Sequence, residues 1–479
     1  MCEESLIRGL TAARSSGYSC RVRSIPPRIW LAACVATACN RSIGTDDGAG
    51  SGNDAGSVTD ASATSTAGET TTEGECPESA FPEPYCYKQY DISDALAGES
   101  FTVVGTGRFG PDGGPALLLA QPTSLHLGYW NAETDTLEIS LAAQGPEGAQ
   151  WDGGPYAEWL PAIVQGSSST YDDVVLVHDG SFWHFPGAAG GLEAPIQSNA
   201  SYEDDGIDWT VRAWKALAVM DLDGDGRSEL VMEMGKAVQV WRQEPQGWIP
   251  WGPRYPDQFY PPVPGWSPDG WPVCPGTLAA RAADLDGDGR EDLVLLNESG
   301  CSTTDGYVER PVVVVLRNTN GTPHGLDPSY WHHGGVVSSV IFLDVGDLDG
   351  SGVLDIVVAV SGDPESWKPV RAHALRGRSD GTFEELVELL SDAYPLAVVD
   401  LDGDRVSELV AVPRDPEGAG VHALANTLQD PALVDLGVAP VSLLAVRDLN
   451  GDGTSELIPN RISSSGSAAS YVIYLSQNQ

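Results

Sequence analysis

One nine-residue acidic segment, written five times along the chain, restricts the fold more than any other feature. The copies are Asp221-Leu-Asp-Gly-Asp-Gly-Arg-Ser-Glu229, Asp284-Leu-Asp-Gly-Asp-Gly-Arg-Glu-Asp292, Asp347-Leu-Asp-Gly-Ser-Gly-Val-Leu-Asp355, Asp400-Leu-Asp-Gly-Asp-Arg-Val-Ser-Glu408 and Asp448-Leu-Asn-Gly-Asp-Gly-Thr-Ser-Glu456. Short apolar runs flank them, such as Leu278-Ala-Ala-Arg-Ala-Ala before the second copy and Leu293-Val-Leu-Leu after it. Runs of this length, rich in branched residues and bounded by Gly and Asp, read as strands, so each acidic segment joins two strands. Two degenerate copies come earlier. Gly107-Arg-Phe-Gly-Pro-Asp-Gly-Gly-Pro115 and Gln165-Gly-Ser-Ser-Ser-Thr-Tyr-Asp-Asp173 keep the length, and the second does so without the acids. Loop starts at 107, 165, 221, 284, 347, 400 and 448 lie 48 to 63 residues apart, room for four strands and their turns. A period near 50 residues with several strands per unit predicts an all-β, seven-bladed propeller. The 55 Gly and 34 Pro residues exclude a long helical bundle in any case.

The loops also predict a chemistry. Positions one, three and five carry carboxylate, amide or hydroxyl oxygens, and position nine is Asp or Glu. The candidate ligands are Asp221, Asp223, Asp225 and Glu229; Asp284, Asp286, Asp288 and Asp292; Asp347, Asp349, Ser351 and Asp355; Asp400, Asp402, Asp404 and Glu408; and Asp448, Asn450, Asp452 and Glu456. Hard oxygen donors on a loop select calcium over metals that prefer nitrogen or sulfur. Three or four carboxylates gathered within a few ångströms without a counter-ion repel one another at a cost of several kcal/mol, on the order expected for close like charges. A Gly at position six suits a left-handed turn, and only the fourth strong loop departs from it, with Arg405. Met232 and Leu295 stand at position twelve, where an EF-hand needs Glu, so the loop is not of that type. About five structural calcium ions are expected, each clamping the two inner strands of a blade, with extracellular-range affinities of roughly 10⁻⁴–10⁻³ M.

At these residues the chain resembles FG-GAP/VCBS repeats, the calcium-loop blades also found in integrin α-chain propellers. The resemblance runs from about residue 86 to 479 and rests on the five strong loops. Of the family's Phe-Gly and Gly-Ala-Pro signatures only Phe109-Gly110 is present. The resemblance implies a further ligand at position seven, the backbone carbonyls of Arg227, Arg290, Val353, Val406 and Thr454.

The ring also needs closing. After the last loop there is room for strands near Glu456–Ile458 and Ser470–Leu475, which leaves the seventh blade one strand short. Residues 86–92 precede the first blade's own inner strand near Phe101–Gly105 and are expected to supply the missing outer strand, removing an exposed edge.

The N-terminal region reads as export and tether. Residues 29–38 form an apolar run that as a helix rises only about 15 Å, too short to cross a bilayer. Arg21, Arg23 and Arg28 precede it and Ala36-Thr37-Ala38 closes it, the order of a signal peptide, assigned to residues 1–38. Cys39 comes next and resembles the lipidated Cys of bacterial lipoproteins. Leu31-Ala32-Ala33-Cys34 matches the lipobox letters more closely but leaves only Ile29 to Ala33 as the apolar core, and the choice between Cys34 and Cys39 stays open, with Cys39 preferred. Lipidation at Cys39 leaves Cys76, Cys86, Cys274 and Cys301, an even set suited to Cys76–Cys86 and Cys274–Cys301 disulfides outside the cytoplasm. Residues 39–85 contain a Ser-, Thr-, Gly- and Asp-rich linker expected to stay disordered.

These readings point to a calcium-stabilised binding or adhesion module, lipid-anchored at a bacterial cell envelope and otherwise periplasmic or secreted, acting as a monomer. A net charge of −42 argues against nucleic acid and against membrane contact other than through the anchor. The expected partner is a surface glycan or protein. The candidate ligand-binding residues are Trp251, Tyr255, Tyr260, Trp266 and Trp271, in a segment, 248–271, where aromatics interleave with seven prolines. No nucleophile elbow or zinc-helix motif appears, so no enzyme is expected. The alternatives are an exported polysaccharide hydrolase or lyase on a calcium propeller, and a purely structural envelope lipoprotein.

Overall fold

The computed structural model describes residues 85–476 except 111, 146–160, 167–169, 179–180, 200–201, 205–206, 210–215, 235–236, 253–276, 298–299, 304–305, 310–312, 332–338, 362–369, 414–419, 426–431, 439–442, 447–448, 451–453, 460 and 464–471. The leader, Cys34, Cys39 and most of the linker therefore lie outside the described residues, as do Cys76 and Cys274 of the two expected disulfides.

The described chain forms a seven-bladed β-propeller of antiparallel sheets. From the inner strand outwards, blade one is Ser100–Arg108, Pro115–Gln121, Ser124–Asn131 and Thr136–Gln144; blade two is Ala162–Gln165, Asp172–His178, Ser181–Phe185 and Ile196–Asn199. Blade three is Ala216–Met220, Glu229–Met234, Ala237–Glu244 and Gly247–Trp251; blade four is Thr277–Ala283, Asp292–Asn297, Val313–Asn318 and Leu326–Trp331. Blade five is Ser339–Gly346, Asp355–Ser361, Val370–Gly377 and Phe383–Ser391; blade six is Ala393–Val399, Glu408–Pro413, Val421–Ala425 and Ala432–Val438. Blade seven takes Leu443–Val446, Glu456–Pro459 and Val472–Ser476 from the end of the chain and its outer strand, Tyr87–Asp91, from the beginning. Tyr87 faces Ser476 and Asp91 faces Val472 in that pairing, the closure expected from the sequence. A second tie was not legible: Arg461–Ser463 pairs with Ser100–Thr102 on the free edge of blade one's inner strand. No helix among the described residues is long and apolar enough to cross a membrane.

Why the strands are apolar on both faces follows from the ring. Neighbouring side chains on a strand point to opposite faces, and here both faces meet another blade. On the second strand of blade four, Leu293 and Leu295 pack with blade three, while Val294 and Leu296 pack with blade five. On blade one, Leu117 and Leu119 pack with blade seven, and Leu118 with blade two. The same division continues between blades two and three, five and six, and six and seven, so an apolar cluster fills every boundary around the ring. Continuous apolar runs are the pattern of strands buried on both sides. The inner strands of blades one, three, four, five and six each carry a register shift near their start, as between Val340 and Phe342. Such bulges add local twist.

Candidate metal centres

All the acidic loops join an inner strand to the second strand of its blade, so they lie at the same end of their sheets. Four are described throughout and share one hydrogen-bond scheme. The position-one carboxylate collects N–H groups from the turn beyond it. Asp284 Oδ1 accepts from Gly287 at 2.8 Å and Asp288 at 3.1 Å, and its Oδ2 accepts from Gly289 at 2.8 Å. Asp221, Asp347 and Asp400 accept the position-six N–H at 2.9, 2.7 and 2.9 Å. Position three accepts from position five, as Asp223 does from Asp225 at 3.2 Å. Position five accepts from position seven, as Asp404 does from Val406 at 2.7 Å. Position nine reaches back to the N–H of position two: Glu229 to Leu222, Asp292 to Leu285, Asp355 to Leu348 and Glu408 to Leu401, at 2.8, 3.0, 2.9 and 2.8 Å. Glu456 accepts from Leu449 in the same way. The backbone follows suit, with left-handed φ at positions four and six of each loop. Arg405 adopts φ 74° where its counterparts are Gly226, Gly289 and Gly352.

The result is convergence. Ligand oxygens of Asp221, Asp223 and Asp225 lie within 4.8 Å of one another, as do those of Asp400, Asp402 and Asp404. In blades four and five the converging sets are Asp284, Asp286 and Asp292, and Asp347, Asp349 and Asp355. Asp288 instead pairs with Arg290, and Ser351 Oγ accepts from Val353 at 3.3 Å. Of the fifth loop, Asn450, Thr454 and Glu456 are described, and Asp448 and Asp452 lie outside. The position-seven residues Arg227, Arg290, Val353 and Val406 follow the left-handed residue of each loop.

Burial sets the electrostatics. It pushes Glu229 and Glu408 up to about 8 and Asp292 and Asp355 up to about 6, helped by neighbouring carboxylates and opposed by the N–H groups that each accepts. Asp402 is also raised, by burial and by Asp404 and Asp400. Asp349 is partly buried, yet hydrogen bonds from Ser351 and the Arg376 guanidinium hold it below the usual carboxylate range. The donor sets contain oxygen only, converge at one point and carry excess negative charge, a fit for a hard divalent cation.

Two parts of the loop were not recognised in the sequence. Position two is Leu in all five, and each of Leu222, Leu285, Leu348, Leu401 and Leu449 is buried in the boundary with the next blade. Position eight reaches the preceding loop: Asp172 binds Arg108, Ser228 binds Gln165, Glu291 accepts from Asp221, and Ser407 donates to Asp347. The identity of the five leucines was a visible signal. The degenerate loop of blade two also needs correcting, because it keeps the acid at position nine. Asp173 is buried, with His184 Nε2 at 2.7 Å from Oδ2 and Gly187 donating to Oδ1 at 2.7 Å.

Of the aromatic segment, Trp248 is buried between blades two and three, its ring 5.9 Å from Phe182. Trp251 is half-buried against the cluster between blades three and four, with the Arg242 guanidinium 5.1 Å from its ring centroid. Tyr255, Tyr260, Trp266 and Trp271 lie outside the described residues.

Residues 284–358 match the FG-GAP-like repeat family, a window that takes in the loops of blades four and five. No curated protein matches the chain. Among solved structures it is similar to an Agrocybe aegerita lectin that recognises non-reducing terminal N-acetylglucosamine, at 15% identity over 79% of this chain and 86% of that one, with a TM-score of 0.46. It is also similar to the Nup133 β-propeller domain of Vanderwaltozyma polyspora, at 8% identity over 82% of this chain and 98% of that one, with a TM-score of 0.41.

Proposed function

We propose that the chain is a calcium-stabilised β-propeller, anchored outside the cytoplasm through Cys39, that acts as a non-enzymatic binding module. The observation that carries the calcium reading is the set of four oxygen-only clusters at equivalent places in four consecutive blades. When bound, the ion supplies positive charge at the point where the carboxylates converge. The protein does the rest. Position one orders the turn, position nine ties the start of the second strand to position two, and the leucine at position two locks the loop into the next blade. Binding to the folded state alone stabilises that state by mass action.

Melting the protein in millimolar calcium and again with chelator tests this reading. The midpoint is expected to fall by several degrees on chelation, and equal midpoints overturn it. The binding role is tested by screening glycans and surface proteins against the calcium-loaded chain, with Trp266→Ala as the comparison. Saturable capture without turnover supports a binding module, whereas cleavage of a captured polysaccharide replaces that reading with a hydrolase or lyase.

A further inference from the structure

The boundary between blades three and four does more than pack. Asn318 ends the third strand of blade four and is 1% exposed. Its backbone N–H donates to Asp292 Oδ1 at 2.7 Å, tying it to position nine of its own blade's loop. Its Nδ2 donates to the Leu222 carbonyl of blade three at 2.7 Å and to the Glu291 carbonyl at 3.2 Å. Its Oδ1 accepts from the Gly321 N–H at 2.8 Å, so partners on both sides fix the orientation of the amide. Two further links join the same loops. The Asp221 N–H donates to Glu291 Oε2 at 2.6 Å. Gly321, at φ 68°, lies so close that a Cβ there would sit 3.4 Å from Asp223 Cα. Positions one and two of the blade-three loop are thus held from blade four, and Gly321 packs beside position three.

The next boundary is tied differently: Arg317 Nη1 donates to the Asp380 carbonyl at 3.1 Å, and Gly381 lies beside Asp286. Gly377 stands where Asn318 does, donates its N–H to Asp355 Oδ1 at 2.7 Å and has no side chain to reach back.

We propose that Asn318 couples the ion sites of blades three and four, so that filling the blade-four loop raises the affinity of the blade-three loop. The proposal rests on the calcium reading above. Occupation of blade four fixes Asp292, and through it Asn318 and the Leu222 carbonyl. The blade-three loop then has less freedom left to lose when its own ion binds. Repulsion between the two cations works against this, but each loop stays acidic when filled, and solvent-exposed charge is screened over about 8 Å at physiological salt. The coupling is reciprocal.

Hydrogen–deuterium exchange of the full chain during a calcium titration reads the two loops separately, through peptides spanning 221–229 and 284–292. Asp286→Asn removes a charge from the converging set of the blade-four loop and weakens that site. It is expected to raise the calcium midpoint of the blade-three loop by about fivefold or more, the lower end of common coupling. In an Asn318→Ala background the same substitution is expected to leave that midpoint in place, although the backbone N–H to Asp292 remains. Where Asn318→Ala does not fold, Glu291→Ala removes the Asp221 link instead and is expected to shrink the shift. Loops that gain protection independently of one another overturn the coupling alone. Loops that gain no calcium-dependent protection in the unaltered chain overturn the calcium reading with it.

Discussion

Arg405 occupies a left-handed backbone angle, φ 74°, that the neighbouring loops give to glycine. Its Cβ crowds the following carbonyl there at a cost of about 1 kcal/mol. Arg405→Gly is therefore expected to stabilise the protein by about that amount in a denaturant titration. The buried acids make a second prediction. Glu229 and Glu408 titrate near 8, and Asp292 and Asp355 near 6, all raised above their ordinary values of 4.5 and 3.8. The calcium-free native state thus holds more protons than the unfolded chain in this range, and stability falls as pH rises. The contribution is fully present below the ordinary values and is lost through pH 6 and then 8. The melting temperature of the chelated protein is expected to drop from pH 5 to pH 8.5, and saturating calcium to remove that drop. At this scale the sequence disclosed the oxygen positions and the strain at Arg405, because both are properties of a single loop. It did not disclose Asn318 or the position-eight contacts, because their partners lie in the neighbouring blade, far away in the chain.

Each loop is also a wedge between blades. Leu348 is fully buried among Phe342, Val357 and Ala359 of its own blade and Val398 and Leu409 of the next. Leu348→Ala leaves every candidate ligand in place and is expected to cost about 2–5 kcal/mol, measured by urea unfolding in saturating calcium. A smaller loss would mean that the loop is held by its ion and not by its leucine. The four-stranded blades were legible because strands apolar on both faces stand out from the polar turns between them. The short pairs Gly187–Ala188 with Gly191–Leu192 and Tyr202–Asp204 with Ile207–Trp209 were not, since strands of two or three residues show no periodicity. The hairpin of Gly300–Thr303 and Gly306–Glu309 was hidden for a similar reason, being a short insertion between the second and third strands of blade four.

The disc as a whole depends on its seam. Tyr87 is fully buried between blades six and seven, and its hydroxyl donates to the Ser455 carbonyl at 2.6 Å. Removal of residues 86–92 exposes that cluster and the edge of Val472–Ser476. It is expected to cost at least the 3–5 kcal/mol or so of a large buried aromatic and to lower the melting temperature sharply. An unchanged melt would show that the ring closes without the seam. Closure was readable from the sequence because strand counting left one blade incomplete and one strand spare.

The seam also orders events during biosynthesis. The strand at Tyr87–Asp91 is made before the other strands of the ring, yet its mate, Val472–Ser476, follows nearly four hundred positions later. Until then the earlier blades present an open arc with one apolar flank uncovered, and a product cut short before Val472 cannot finish the circle.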